Sequence, residues 1–275
     1  MVSDRVRALT FDHLPFATYH FPLHIRYHLA VNTYTAAVAL SVLGSAGGLL
    51  VASSVFALGE RLRHLLVPLA ISYAVGTLLG VALLGLLPQA LTTLAPTTAL
   101  GSLLAGVLCF FLLEKLVLWR HCHDDRECEL HSSSAASLVI VGDAFHTFVD
   151  GAVIAAAVVT SLPLGFSTAL AIAAHEIPQE VGDVAILLRA GYTKANALSL
   201  NLVSAAGGIL GAFAMLTTSR AVPEALPYVL AFSAGSFLYI AMADLIPDLH
   251  RGGVQGGSVR QLLLILAGVL TIVVL

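Results

Sequence analysis

The sequence predicts an all-α membrane protein of eight transmembrane helices with both termini extracytoplasmic. Three observations predict it. Of 275 residues, 58% are hydrophobic and only 11% charged, and the mean hydropathy is +0.93, a balance that a water-solvated surface of this size does not tolerate. Apolar stretches of about 20 residues, the length a helix needs to cross the hydrocarbon core, recur eight times between polar breaks. The basic residues collect in the connections on one side of those stretches.

Residues 1–32 hold Asp4, Arg5, Arg7, His13, His20, Arg26 and His28 without a clean apolar core. They read as an extramembrane or interfacial tail, not as a secretory signal peptide. Residues 33–275 form one membrane domain, with spans expected at 33–58, 65–88, 98–119, 136–160, 163–188, 195–218, 226–249 and 259–275, the last of them short. Pro163, Pro178, Gly182 and Pro247 fall inside spans; such breakers are tolerated where neighbouring helices satisfy the freed backbone groups. Gly44 with Gly48, Gly76 with Gly80, and Gly207 with Gly211 put small residues on one face of a helix, the pattern of close helix packing.

With the N-terminus outside, the connections after spans one, three, five and seven hold Arg61, Arg63, Lys115, Arg120, Arg126, Arg189, Lys194, Arg251 and Arg260. The opposite side holds only Arg5, Arg7, Arg26 and Arg220. The positive-inside rule therefore sets this orientation. A net charge of −3 and scattered basic residues exclude a nucleic-acid face. Cys122 and Cys128 share the hydrophilic loop 120–135 with His121, His123 and His131, a composition suited to metal contact and not to a disulfide framework. The spacing in that loop does not match a closed structural zinc site, and a plain solvated loop accounts for it equally well.

Charges inside spans cost roughly 2.5 to 3.5 kcal/mol each on insertion scales, so they persist where they face the bundle interior. On a wheel of about 100° per residue, with His175 at zero, Gln179 falls near 40°, Asp183 near 80°, Glu176 near 100° and Glu180 near 140°. Ile177, Val181 and Val184 fall opposite. In span four, Asp143, His146, Thr147 and Asp150 cover a face of about 100°. Two such faces meeting inside the bundle offer imidazoles, carboxylates, an amide and a hydroxyl, the nitrogen and oxygen donors that suit Zn2+, Mn2+, Fe2+ or Cd2+.

His146-Thr147-Phe148-Val149-Asp150-Gly151 is similar to the HNxxDG motif of helix four in the ZIP (Zrt/Irt-like) divalent metal transporters, and His175 through Asp183 resembles that family's HEIP[HQ]ExGD motif of helix five. The resemblance extends through Gly76 to Gly80, Leu87-Pro88, Glu114-Lys115, Asn201 and Asp244 to Asp248. It implies a ZIP-like eight-helix bundle that takes a divalent metal, zinc foremost, into the cytoplasm. It makes His146, Asp150, His175, Glu176 and Gln179 the metal ligands, Glu180 a ligand or pathway group, Asp183 a group that supports the ligands or lines the pathway, and Asp143 a gate or entry group. Thr147 stands where the motif has Asn, Gln179 where many members have a second His, and Val81, Gly85 and Gln89 where relatives often carry Asp, His and Glu. These departures predict one strong site centred on His146 and His175. Asp244 and the loop residues His121, Cys122, His123, Cys128 and His131 become candidates for the exit path.

The expected cargo is Zn2+, or Mn2+, Fe2+ or Cd2+, with no prosthetic group. The expected partners are that ion, the bilayer and, as an option, a second copy of the chain. Protonation of imidazole and carboxylate competes with metal, so uptake is expected to fall at acidic external pH. A plasma or bacterial inner membrane is the expected location. The rival readings are an intramembrane metalloprotease, since His175-Glu176 opens an HExxH pattern, and a metal sensor. Gln179 at the fifth position, with Pro178 before it, breaks the protease pattern, so an enzyme is not expected.

Overall fold

A computed structural model of the chain describes residues 26–57, 60–119, 132–251 and 258–275. Among these residues there are eight helical rods and no strand. We number them in chain order. Helix α1 is Arg26–Ala57. Helix α2 runs from Glu60–Gly80 through a π-helical turn at Val81–Leu86 into Leu87–Leu91. Helices α3 (Pro96–Trp119), α4 (Ser132–Thr160), α5 (Leu162–Arg189) and α6 (Lys194–Ala221) follow. Helix α7 runs from Leu226–Tyr239 through a second π turn at Ile240–Leu245 into Ile246–Arg251, and α8 is Ser258–Val274.

Each expected span coincides with one rod. The boundaries shift outward because polar residues extend a helix past its lipid-compatible part: α1 begins at Arg26, whereas its apolar portion begins at Thr33. Six helices are long and apolar enough to cross a membrane, and α5 and α8 are not among them. Helix α8 has 17 residues. Helix α5 carries the polar run from His175 to Asp183, and it packs against α1, α2 and α4, with Ala171, Ile172, Ala174 and Leu187 buried. Its charges face protein, so it does not need the composition of a lipid-facing span.

The outer surface is apolar: Leu104, Leu108, Leu112, Leu210, Phe213, Leu262 and Leu266 are all exposed. The interior instead buries Ser41, Ser72, Thr77, Asp143, Asp150, His175, Glu176, Glu180 and Asn201. An apolar exterior around an interior that sets these polar groups among an apolar core is what a lipid solvent requires. This is a multi-pass membrane protein.

The prolines act at three different places. Pro163 lies in the first turn of α5, where a missing N–H costs nothing, and the Ser161 side chain caps that turn by accepting from the Leu164 N–H at 3.3 Å. Pro88 and Pro247 each sit at the second residue after a π turn. A proline ring clashes with the carbonyl four residues back, and a widened turn just before it absorbs the clash. The sequence shows these prolines but not the π turns that accommodate them. Between α5 and α6 the chain reverses at Gly191, whose φ of 91° is the left-handed conformation that favours glycine.

Glycines set the closest contacts. A Cβ on Gly211 of α6 would fall 1.8 Å from the Phe148 carbonyl oxygen of α4, and one on Gly151 would fall 1.8 Å from the Gly208 carbonyl oxygen. A Cβ added to Gly76 would fall 2.0 Å from the Ile265 carbonyl oxygen of α8, and one added to Gly48 would fall 2.6 Å from the Glu176 Cβ of α5. The three predicted small-residue faces are therefore packing faces. Around the α1 start, Ala36, Ala39 and Leu40 share a crevice with Leu162, Pro163 and Leu275, so the start of α1, the start of α5 and the chain end lie at one end of the bundle. Replacing Gly211 by Ala is expected to push α6 off α4, with overpacking costing about 1 to 3 kcal/mol. A thermal melt of purified protein in detergent should record the lower midpoint.

Candidate metal centre

Helix α4 projects His146 and Asp150 from one face, four residues apart, and α5 projects His175 and Glu176 towards them. Their ligand atoms all lie within 4.8 Å of one another. The Nε2 atoms of His146 and His175 are 3.1 Å apart. Asp150 Oδ2 stands 3.3 Å from His175 Nε2 and 3.6 Å from His146 Nε2, and Glu176 Oε1 stands 4.0 Å from His146 Nε2. Donors about 2.0 to 2.1 Å from a tetrahedral zinc are separated by about 3.3 to 3.4 Å, so this cage has the dimensions of one such ion. His175 Nδ1 lies 3.3 Å from the Ala171 carbonyl oxygen. Donation from Nδ1–H to that oxygen leaves Nε2 with its lone pair directed into the cage.

The cage is dry on most sides. Asp150, His175 and Glu176 are buried, and only His146 retains some exposure, 15% of its side chain. Phe110 of α3 stands edge-on to the His146 ring at 6.2 Å, and Phe237 of α7 lies 6.3 Å from the His175 ring. Both oxygens of Asp150 and both of Glu176 are buried without an aligned hydrogen-bond donor. Buried carboxylates left in that state are costly, and a cation relieves the cost.

A second group lies along the same two helices: Asp143, Glu176 and Glu180 also bring ligand oxygens within 4.8 Å of one another. Asp143 is held by two donors. The Ser204 hydroxyl of α6 donates to its Oδ2, and Gln179 Nε2 donates to its Oδ1 at 3.3 Å. The Thr147 hydroxyl bonds the Asp143 main-chain carbonyl and lies 3.3 Å from that of Ser204.

The structure thus brings together His146, Asp150, His175, Glu176, Glu180 and Asp143. Gln179, expected as a ligand, turns its amide to Asp143, and Thr147, on the polar face predicted for α4, ties α4 to α6. Asp183 lies further along α5, half-buried, and its carboxylate interacts electrostatically with those of Asp143 and Asp244. Asp244 is exposed in the π turn of α7. The loop residues His121, Cys122, His123, Cys128 and His131 lie outside the described residues. Ser204, Phe110 and Phe237 escape sequence reasoning. Ser204 lies on the α6 face marked by Gly207 and Gly211, which is a signal of contact but does not say with what; the two aromatics look like any apolar position.

Comparison with known proteins finds relatives over most of the chain. A family described as ZIP Zinc transporter matches residues 119–275. The chain is 38% identical to Zinc transporter ZIP13 of Pongo abelii over 218 residues, covering 74% of this chain and 65% of that protein. It is 34% identical to Zinc transporter ZIP13 of Mus musculus over 258 residues, covering 78% and 70%. An Uncharacterized zinc transporter P8A3.03 of Schizosaccharomyces pombe is 35% identical over 156 residues, covering 53% and 34%. The chain therefore spans about two thirds of the length of these ZIP13 relatives.

A ligand that binds only the folded state stabilises it by mass action, by about 2.7 kcal/mol at a free concentration 100 times its dissociation constant. Zn2+ is accordingly expected to raise the melting midpoint of the purified chain, and His175→Ala to abolish most of that rise. A midpoint insensitive to Zn2+ in the unsubstituted chain would remove the cage from consideration.

Proposed function

Because the chain belongs to the ZIP zinc transporter family, we propose that it carries a divalent metal cation, zinc foremost, across the membrane into the cytoplasm through the cage between α4 and α5. The observation that carries this reading is the buried pair of imidazoles and pair of carboxylates at mutual distances that fit one tetrahedral ion. An ion entering the cage sheds its water as His146, Asp150, His175 and Glu176 replace it, and the buried oxygens that lacked donors acquire a partner.

Direction follows from the basic residues. Arg61 and Arg63 stand in the first turn of α2, Arg189 ends α5, Lys194 begins α6 and Arg260 lies in the first turn of α8, all at the end of the bundle that the positive-inside rule assigns to the cytoplasm. Asp143, Glu180 and Asp183 continue from the cage towards that side, and Asp244 reaches it on α7. Release inward requires one set of helices to rock against the other about the site. The turns best able to absorb such rocking are the π segments of α2 and α7, where the regular hydrogen-bond ladder is already interrupted. In this reading the membrane domain is 33–275, with 1–32 preceding it as a tail.

The family is one of transporters, and the chain is not an enzyme. Gln179, at the position where an HExxH protease has its second histidine, is engaged with Asp143. The direct test is 65Zn uptake into proteoliposomes containing the full chain. Uptake is expected to fall by more than tenfold in the His146→Ala, His175→Ala double variant; uptake at the unsubstituted rate would refute the proposed route.

A further inference from the structure

Helix α3 walls the cage without supplying any of its ligands. It packs against α7 and meets α4 at only a few positions, and much of its remaining surface, Leu104, Leu108 and Leu112 included, is exposed. A Cβ on Gly106 would fall 2.1 Å from the Phe232 carbonyl oxygen, and one on Gly235 would fall 2.0 Å from the Leu103 carbonyl oxygen, so the backbones of α3 and α7 touch. Further towards the end of α3, the Tyr239 hydroxyl of α7 donates to Glu114 Oε2, and Phe111 stands edge-on to the Tyr239 ring at 6.4 Å. Glu114 lies next to the end of the apolar span Pro96–Lys115. A carboxylate inside a span is costly unless a partner takes it up, and Tyr239 is that partner. Phe110 lies four residues before Glu114, on the same face of α3, and is the ring that stands edge-on to His146.

We infer that the bond from Tyr239 to Glu114 is a latch that holds Phe110 over His146, and that this dry wall makes the cage prefer an ion satisfied by four ligands, such as Zn2+, over one that favours six, such as Mn2+. The inference rests on the cage as the metal route and adds the basis of its choice among ions.

The donor set alone does not make that choice. Two imidazoles and two carboxylates suit several divalent ions, provided that water completes the shell of those that need more than four ligands. Zinc has no geometric preference from its d electrons and is content with a tetrahedron, whereas Mn2+ favours an octahedron rich in oxygen. In this cage the fifth and sixth ligands of a six-coordinate ion have to be water. His146 is the one ligand that keeps some exposure, so water comes most readily past its ring. Phe110, itself buried, stands against that ring, and the fully enclosed Phe237 covers His175. An apolar shell of this kind controls solvent access to a metal. Because α3 meets α4 so sparsely, the placement of Phe110 is inherited from the contact with α7, of which the Tyr239 hydroxyl and Glu114 are the polar part. Tyr239 and Glu114 are therefore positioning residues, acting through Phe110.

The test uses Co2+, which takes the place of Zn2+ and absorbs strongly in the visible when four-coordinate and weakly when six-coordinate. The purified full chain in nanodiscs should bind Co2+ with the strong band. Phe110→Ala should weaken the band and cut the preference for Zn2+ over Mn2+, measured as a ratio of dissociation constants, by about tenfold, the scale on which groups surrounding a metal site act. Tyr239→Phe should move both readouts in the same direction. Glu114→Gln, which keeps an acceptor for the Tyr239 hydroxyl, should restore most of what Glu114→Ala loses. Should thermal melts show Phe110→Ala to be unfolded, Tyr239→Phe, which deletes a single oxygen atom, carries the test. Folded Phe110→Ala or Tyr239→Phe variants with an unchanged band and an unchanged ratio would reduce the bond to packing and overturn the inference. A weak or absent band in the unsubstituted chain overturns it too. The uptake measurement on the histidine variants tests the route separately, so the two readings fail independently.

Discussion

Everything in this fold answers to one constraint: four carboxylates and two imidazoles are kept out of water inside a chain whose exterior is built for lipid. An ionised carboxylate moved into a low-dielectric medium without a partner costs about 20 kcal/mol on an idealised Born basis, more than the net stability of a domain. Among the described residues, the ion-pair contacts of this cluster run to imidazoles, which balance charge only when protonated. Among the described residues, no ion pair of this cluster runs to a lysine or arginine. An interior that is short of positive charge and of hydrogen-bond donors, yet is fixed by tight packing, is pre-organised for a cation from outside.

The scaffold supplies that rigidity through backbone proximity. Gly151 follows Asp150 directly, and its lack of a side chain lets the α6 backbone at Gly208 come against α4. Gly48 of α1 gives the same service to Glu176. Without hydrophobic expulsion between helices in lipid, close van der Waals contact is a principal source of association, and small residues permit it. The same glycines that hold the bundle together therefore fix where Asp150 and Glu176 stand. Ser204 links the two roles: it lies on the glycine face of α6 and bonds the carboxylate of Asp143.

Much of this is legible in the sequence because lipid makes polarity expensive. The wheel of α5 separates His175, Glu176, Gln179 and Glu180 from Ile177, Val181 and Val184 with no structural knowledge, and the facing residues of α4 follow by the same rule. Rod number and approximate bounds follow from hydropathy. What was not legible depends on pairing between helices. Gln179 has the polarity of a ligand, but whether its amide turns to a metal or to Asp143 is decided by where α4 stands. Phe110 and Phe237 become walls of the cage only because α3 and α7 bring them to the two imidazoles. The π turns depend on how a proline's lost hydrogen bond is redistributed, which composition does not encode.

Those two turns also expose an asymmetry. In α2 the π segment Val81–Leu86 leads into Leu87 and Pro88; in α7 the π segment Ile240–Leu245 leads into Ile246 and Pro247. The local device is the same, but the fifth residue of the turn is Gly85 in one helix and Asp244 in the other. At Gly85 an added Cβ would meet a Leu164 methyl at 3.0 Å, so that turn is closed by apolar packing. Asp244 instead stands exposed and in electrostatic contact with Asp183, which in turn senses Asp143. The polar track from the cage therefore continues along α5 to α7 and has no counterpart at α2. Two helices with one backbone solution have been given opposite chemistry, apolar at Gly85 and anionic at Asp244.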